Sequence, residues 1–325
     1  MIAALLVAGL SILALPFLLR HFGRRVRPNW WALLCAVALV VGLILVLGSG
    51  AVGSLPSLLW IVGLPTVARA CEKMLGYSPT IGPYISSVAL ALTVSMVVLG
   101  GRSLRRFRDV VERSWLETVV GQRFVSKDSY EIVVLDSPLA RAHSVPGRGG
   151  RPGQIHFTTG LIKTLASDEL ELVRAHEEAH LGHGHHRYLA LAVMVEGSMW
   201  FWAPARSSTG ALRLSLERWA DETAAGENMS SRSRLASALF VVAAEVQRPA
   251  LAAFSALDGL LERVAAMREP TRKQLPILWW LIIFVPGVSL MAVSLYEITR
   301  LGASAYCLVS MPGSCHLLQP IRLTP

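Results

Sequence analysis

The sequence predicts a multi-pass α-helical membrane protein that carries an inserted α+β domain, and three observations predict it. Of the 325 residues, 53% are hydrophobic and only 16% are charged, too apolar a balance for a water-soluble chain of this length. Four apolar runs, Ile2–Leu19, Asn29–Gly48, Pro83–Gly100 and Leu275–Tyr296, reach the roughly 18 residues that a membrane helix needs. Between the third and fourth, the composition turns to that of a soluble domain of about 160 residues, enough to bury its own core. The chain then divides into three spans with an external loop at 49–82 (residues 1–108), the inserted domain (109–270), and a fourth span with a short external tail (271–325).

Orientation follows from the basic residues. Arg20, Arg24, Arg25 and Arg27 follow the first run; Arg102, Arg105, Arg106 and Arg108 follow the third; Arg263, Arg268, Arg272 and Lys273 precede the fourth. Basic residues stay on the cytosolic side, so the inserted domain is expected in the cytosol and both termini outside. No basic residue precedes the first run, as a cleavable signal peptide would require. Trp30, Trp31, Trp279, Trp280 and Tyr296 fall at run ends, where amphipathic rings favour the interface. The net charge of +9 is spent on orientation. Direct nucleic-acid binding, which needs a basic stripe on a folded surface, is not expected.

Within the loop, Leu55–Val67 is apolar but too short to span and is interrupted by Pro56 and Pro65, so it is expected to lie on the outer surface or against the bundle. The four cysteines form no CxxC pair. Cys307 and Cys315 fall in an expected external segment, where a bridge and free thiols are both open. The 27 Arg against 4 Lys is the usage of a GC-rich bacterial genome.

In the inserted domain, Tyr130–Leu135, Ala142–Pro146 and Gln154–Thr159 read as strands, the last two separated by a Gly/Pro-rich turn at 147–153. A helix follows, with Ser167 as expected N-cap and Asp168 and Glu169 in its first turn, where carboxylates suit the helix dipole. Gly182 and Gly184 end it soon after His180. The apolar run Tyr188–Pro204 has the look of a fifth span. A crossing there would put His176 and Glu217 on opposite sides of the bilayer, so it is expected as a helix within the domain or dipping into the inner leaflet, with Glu196 turned from lipid.

The chemistry lies in His176-Glu177-Glu178-Ala179-His180 and in Glu217-Arg218-Trp219-Ala220-Asp221. Positions i and i+4 share a helix face, so His176 and His180 can point at one ion. Glu177, about 100° around the helix from His176, reaches a water beside that ion as general base. Catalytic zinc takes three protein ligands and one open position, with His₂Glu a known set; Glu217 supplies the third. Asp221, one turn on, can accept the free N–H of a ligating His. One Zn²⁺ per chain is expected. His186 as third ligand is the competing arrangement, but the turn it needs wants Gly at 183, where this chain has His. His183, His185 and His186 are expected near the rim of the site, one of them helping to stabilise an oxyanion; His143 and His156 are expected to be structural.

At these residues the chain resembles the gluzincin metallopeptidases, most closely those of the BlaR/MecR type, with HtpX-like and CAAX prenyl endopeptidases more distant. Gln154–Ile162 with Leu165 and Asp168-Glu169-Leu170 is similar to the strand, turn and helix start that precede H-E-x-x-H there, and Trp200–Pro204 to an aromatic-Pro element between the two motifs. Ala220 stands where the BlaR/MecR type often has Cys. That type also carries a large external penicillin-binding domain after the last span, where about thirty residues remain here; β-lactam sensing is not implied. The resemblance implies a gluzincin-type metallopeptidase domain, a protein or peptide substrate, and a signalling role in which the chain cleaves itself or a transcriptional repressor. It further implies that Ala142, His143, Ser144 and Val145 form an edge strand binding peptide in extended form. Oligomeric state is open, a homodimer included. The reading from a different class is a membrane receptor or scaffold whose metal is a structural staple.

Overall fold

The computed structural model describes residues 2–23, 25–77, 80–117, 121–125, 130–246 and 253–268. Contacts divide the chain into two units.

The first unit takes residues 1–12 and 41–97, from helices α1 (Ile2–Leu18), α3 (Pro28–Ile61), α4 (Pro65–Met74) and α5 (Gly82–Glu117). Small residues set how closely they pack, as between membrane helices. A Cβ on Gly9 would lie 2.9 Å from Val46, and one on Gly50 only 2.2 Å from the Thr93 hydroxyl. The Ser57 and Ser86 hydroxyls meet at 2.6 Å, and the Tyr77 hydroxyl donates to the Gly53 carbonyl. Helices α3 and α5 are long and apolar enough to cross a membrane, whereas α1 is apolar but shorter. Val88, Leu92, Val94 and Val97 of α5 stand exposed.

Here the structure departs from the expected loop at 49–82. Helix α3 runs on through Pro56 to Ile61 before a turn at Gly63 and α4. A proline removes one main-chain hydrogen bond, but Pro56, Ser54 and Ser57 are buried and the Ser57 hydroxyl is bonded to Ser86 of α5, so packing keeps the helix going. Pro65 acts as a helix start, in the first turn of α4, where its missing N–H costs nothing. Helix α5 likewise outruns its apolar segment and carries the Arg102–Arg108 cluster past the expected boundary to Glu117. The expected span Leu275–Tyr296 and the Cys307 and Cys315 pair lie outside the described residues.

The second unit takes residues 13–40, with the short helix α2 (Arg20–Gly23), and 98–274. Its sheet has the order β1-β2-β4-β3, from β1 (Gln122–Val125), β2 (Glu131–Leu135), β3 (Ala142–Val145) and β4 (Gln154–Thr158). Strands β2 and β4 are parallel, and β3 lies antiparallel to β4, with no strand paired to its other side among the described residues. The three expected strands are present; β1, too polar and short to stand out, was not expected. Strand β4 is buried along its whole length, and Ile155 and Phe157 pack with Leu161, Leu165, Val173 and Leu235.

The turn into α6 (Thr159–Thr164) is built by Thr158, whose hydroxyl accepts the Leu161 N–H. Helix α7 (Ser167–Gly182) follows. Its N-cap is Ala166 rather than the expected Ser167, because the Glu169 carboxylate reaches back to the Ala166 N–H at 3.0 Å and caps the turn without a side chain there. Gly184, left-handed at φ +65°, then reverses the chain into α8 (His185–Ser198). The run Tyr188–Pro204 is thus a helix inside this unit that breaks at Met199–Trp202 before α9 (Ala203–Ala225). Glu196 accepts from Thr209 at 2.6 Å and from Arg213 at 2.9 Å. Helices α10 (Met229–Val246) and α11 (Ala253–Met267) pack on α9, and Gly197 of α8 sits so close to the end of α5, which from residue 98 belongs to this unit, that a Cβ there would meet the Ser103 hydroxyl at 2.3 Å.

Candidate metal centre

Helix α7 lies between β3 and α9 and turns His176 and Glu177 into the interior. One turn apart, His176 and His180 bring their Nε2 atoms to 3.1 Å. From α9, Glu217 sets one carboxylate oxygen 3.6 Å from His176 Nε2 and the other 3.7 Å from His180 Nε2. Ligand bonds of about 2.0–2.1 Å at a tetrahedral ion hold donors about 3.3 Å apart. Three donors at these separations, two imidazole nitrogens and a carboxylate, fit an ion with zinc's preferences. His186, the competing third donor, takes no part in the cluster.

Both histidines are oriented from behind. Asp221 Oδ1 lies 3.0 Å from His176 Nδ1, in the position expected from its spacing to Glu217. His180 Nδ1 lies 2.9 Å from Nδ1 of His185. That is a correction: His185 is fully buried at the start of α8, not at the rim, because the left-handed Gly184 turns the new helix back under the end of α7. His183 is exposed and stacks on Trp219 at 4.5 Å.

Arg263, which the sequence offered only as an orientation charge, enters from α11. Its Nε and Nη2 donate to the two oxygens of Asp221 at 2.8 and 2.7 Å, and its Nη1 lies 3.0 Å from Glu217. Nothing local in the sequence marks it, since 42 residues separate it from Asp221.

These neighbours tune the protonation states. Burial opposes charge on His176, but the Asp221 and Glu217 carboxylates outweigh it and raise its pKa to about 10. Burial lowers His180 to about 4 and His185 to about 3. Burial disfavours charge on Glu217 and Asp221, yet His176 and Arg263 hold both carboxyls below their usual range. Glu177 shifts the other way: burial raises it, with the Glu217 charge adding to the rise and His176 and a Ser144 hydrogen bond opposing it. That bond joins Glu177 to β3. Among the described residues, Ala142, His143, Ser144 and Val145 stand at the edge of the sheet. Ser144 faces α7, so His143, one residue earlier, lies on the opposite sheet face.

Residues 108–256 match the family model described as peptidase family M48. The match supports an M48 family metallopeptidase. It spans all four strands, both histidines of α7, and Glu217 and Asp221 on α9, and it stops short of Arg263. No curated protein and no solved structure matches the chain.

Proposed function

We propose that the chain is an integral-membrane, zinc-dependent endopeptidase whose active site faces the cytosol, and that it acts in signalling of the BlaR/MecR kind by cleaving itself or a cytosolic repressor. The observation that carries the enzymatic reading is the convergence of His176, His180 and Glu217 beside the buried carboxylate of Glu177, which borders an edge strand. The two long apolar helices and their flanking arginines support the membrane setting.

An extended peptide pairs with the free edge of β3, which brings its scissile bond toward Glu177. His176, His180 and Glu217 hold the ion; what it supplies when bound is an acidified water and a polarised carbonyl. Glu177 takes the proton of the attacking water and hands it to the leaving amine. A raised pKa suits both halves of that transfer, because a base works best when its pKa approaches the operating pH. Asp221 and His185 hold the two imidazoles in register, and Arg263 braces Asp221 and Glu217 against rotation.

The test compares cells carrying the wild type with cells carrying Glu177→Gln, by mapping new protein N-termini. The expected result is a small set of N-termini that vanish in the variant although it retains zinc. A variant that still produces them refutes the assignment of Glu177 and, with it, this mechanism.

A further inference from the structure

On the other face of the sheet, His143 and His156 stand directly opposite each other across β3 and β4, with ring centroids 4.7 Å apart. Glu117, the last residue of α5, reaches in between them. One of its carboxylate oxygens lies 3.9 Å from His143 Nε2 and 3.8 Å from His156 Nδ1, and the three donors all fall within 4.8 Å of one another. We propose that Glu117, His143 and His156 form a second divalent-cation site, one that takes Zn²⁺, separate from the centre at His176.

The hydrogen bonds around His156 carry the argument. Its side chain is fully buried. Gln154 donates its amide N–H to Glu131 at 2.7 Å, which leaves the Gln154 amide oxygen facing His156 Nε2 at 3.3 Å. An oxygen there accepts, so Nε2 carries the proton and Nδ1 carries a lone pair. Among the described residues that Nδ1 has no hydrogen-bond partner, and what it faces is a carboxylate 3.8 Å away, too far to bond. A buried lone pair aimed at an anion is costly, and a cation between them satisfies both. Orphaned buried nitrogens of this kind mark a missing ion or water.

The donors are held in place without an ion. Trp115 donates its indole N–H to the Pro146 carbonyl at 3.2 Å, and Arg148 pairs with Glu112 at 2.7 Å, so the end of α5 is already tied to the segment after β3. The His143 and Glu117 side chains are 42% and 50% exposed, which leaves a coordination position open to water. An ion here clips the end of α5, which lies in the second unit, to the strand whose next residue, Ser144, contacts Glu177. The site stands independently of the proposed peptidase function.

The test counts zinc on the purified full-length protein by titrating Zn²⁺ against a chromophoric chelator. Two equivalents are expected for the wild type, one for His180→Ala, one for Glu117→Gln, and none for the double variant. Glu117 is exposed, so its substitution leaves the fold intact. A single equivalent in the wild type with none in His180→Ala overturns the proposal, as does an equivalent in His180→Ala that survives Glu117→Gln.

Discussion

Arg263 grips Asp221 at two points, Nε to Oδ2 at 2.8 Å and Nη2 to Oδ1 at 2.7 Å, so α9 and α11 are joined at the residue that orients His176. The contact uses the planar fork of the guanidinium as well as its charge. Arg263→Lys keeps the charge and loses the fork. Outer partners of metal ligands are worth about 10–100-fold in affinity, and zinc affinity of the lysine variant is expected to fall by about 10-fold, read by chelator competition. An unchanged affinity would show that the arginine acts by charge alone.

The same network sets how the metal-free protein responds to acid. Although burial disfavours their charge, Asp221 and Glu217 have folded pKa values below their ordinary 3.8 and 4.5. Their stabilisation is therefore present above those values and is lost as pH falls through the folded ones. Glu177 has the opposite sign. With a folded pKa raised above 4.5, it favours the fold fully below 4.5 and weakens it as pH rises through the folded value. Melting temperature in the presence of chelator should fall below about pH 4. Glu177→Gln should raise the melting temperature at pH 7 relative to the wild type, and a decrease would contradict the burial of an ionised Glu177.

Removing the metal should abolish activity before structure. Arg263 offsets the charge of Glu217 and Asp221 with no ion present, and the helices that carry the site pack on an apolar core. Chelator-treated protein is expected to keep its far-UV circular dichroism and to regain peptidase activity on adding Zn²⁺. Unfolding in step with zinc loss would favour the receptor or scaffold reading with a structural staple.

Two glycines separate a steric requirement from a conformational one. A Cβ on Gly160 would lie 2.2 Å from the Pro138 carbonyl oxygen, so Gly160→Ala must displace backbone and should cost about 1–3 kcal/mol. Gly184 has open space, with Arg187 nearest at 3.9 Å, but sits at φ +65°. Gly184→Ala should cost about 1 kcal/mol, from the left-handed backbone alone. Denaturant midpoints on the two variants measure both.

How far the sequence could be read depended on how far apart the interacting residues lie along it. The strands at 131–135, 142–145 and 154–158 were legible from apolar runs and glycine punctuation, and the helix of His176 and His180 from its first-turn acids. The extent of α3 was not, because Pro56 breaks a pattern that packing then overrides. The N-cap of α7 shifted by one residue because a glutamate side chain did the capping expected of serine.

The sequence alone determined that His176 and His180 share one helix face and that Glu217 and Asp221 share another, since a helical repeat of about 3.6 residues leaves no freedom at a spacing of four. Which faces meet was a matter for the tertiary structure. Helix packing brought those two surfaces together, set Arg263 behind Asp221 and folded His185 under His180. Sheet register paired His143 with His156. Buried charges and lone pairs take their partners from whatever the fold carries into reach, and no spacing along the chain encodes that choice.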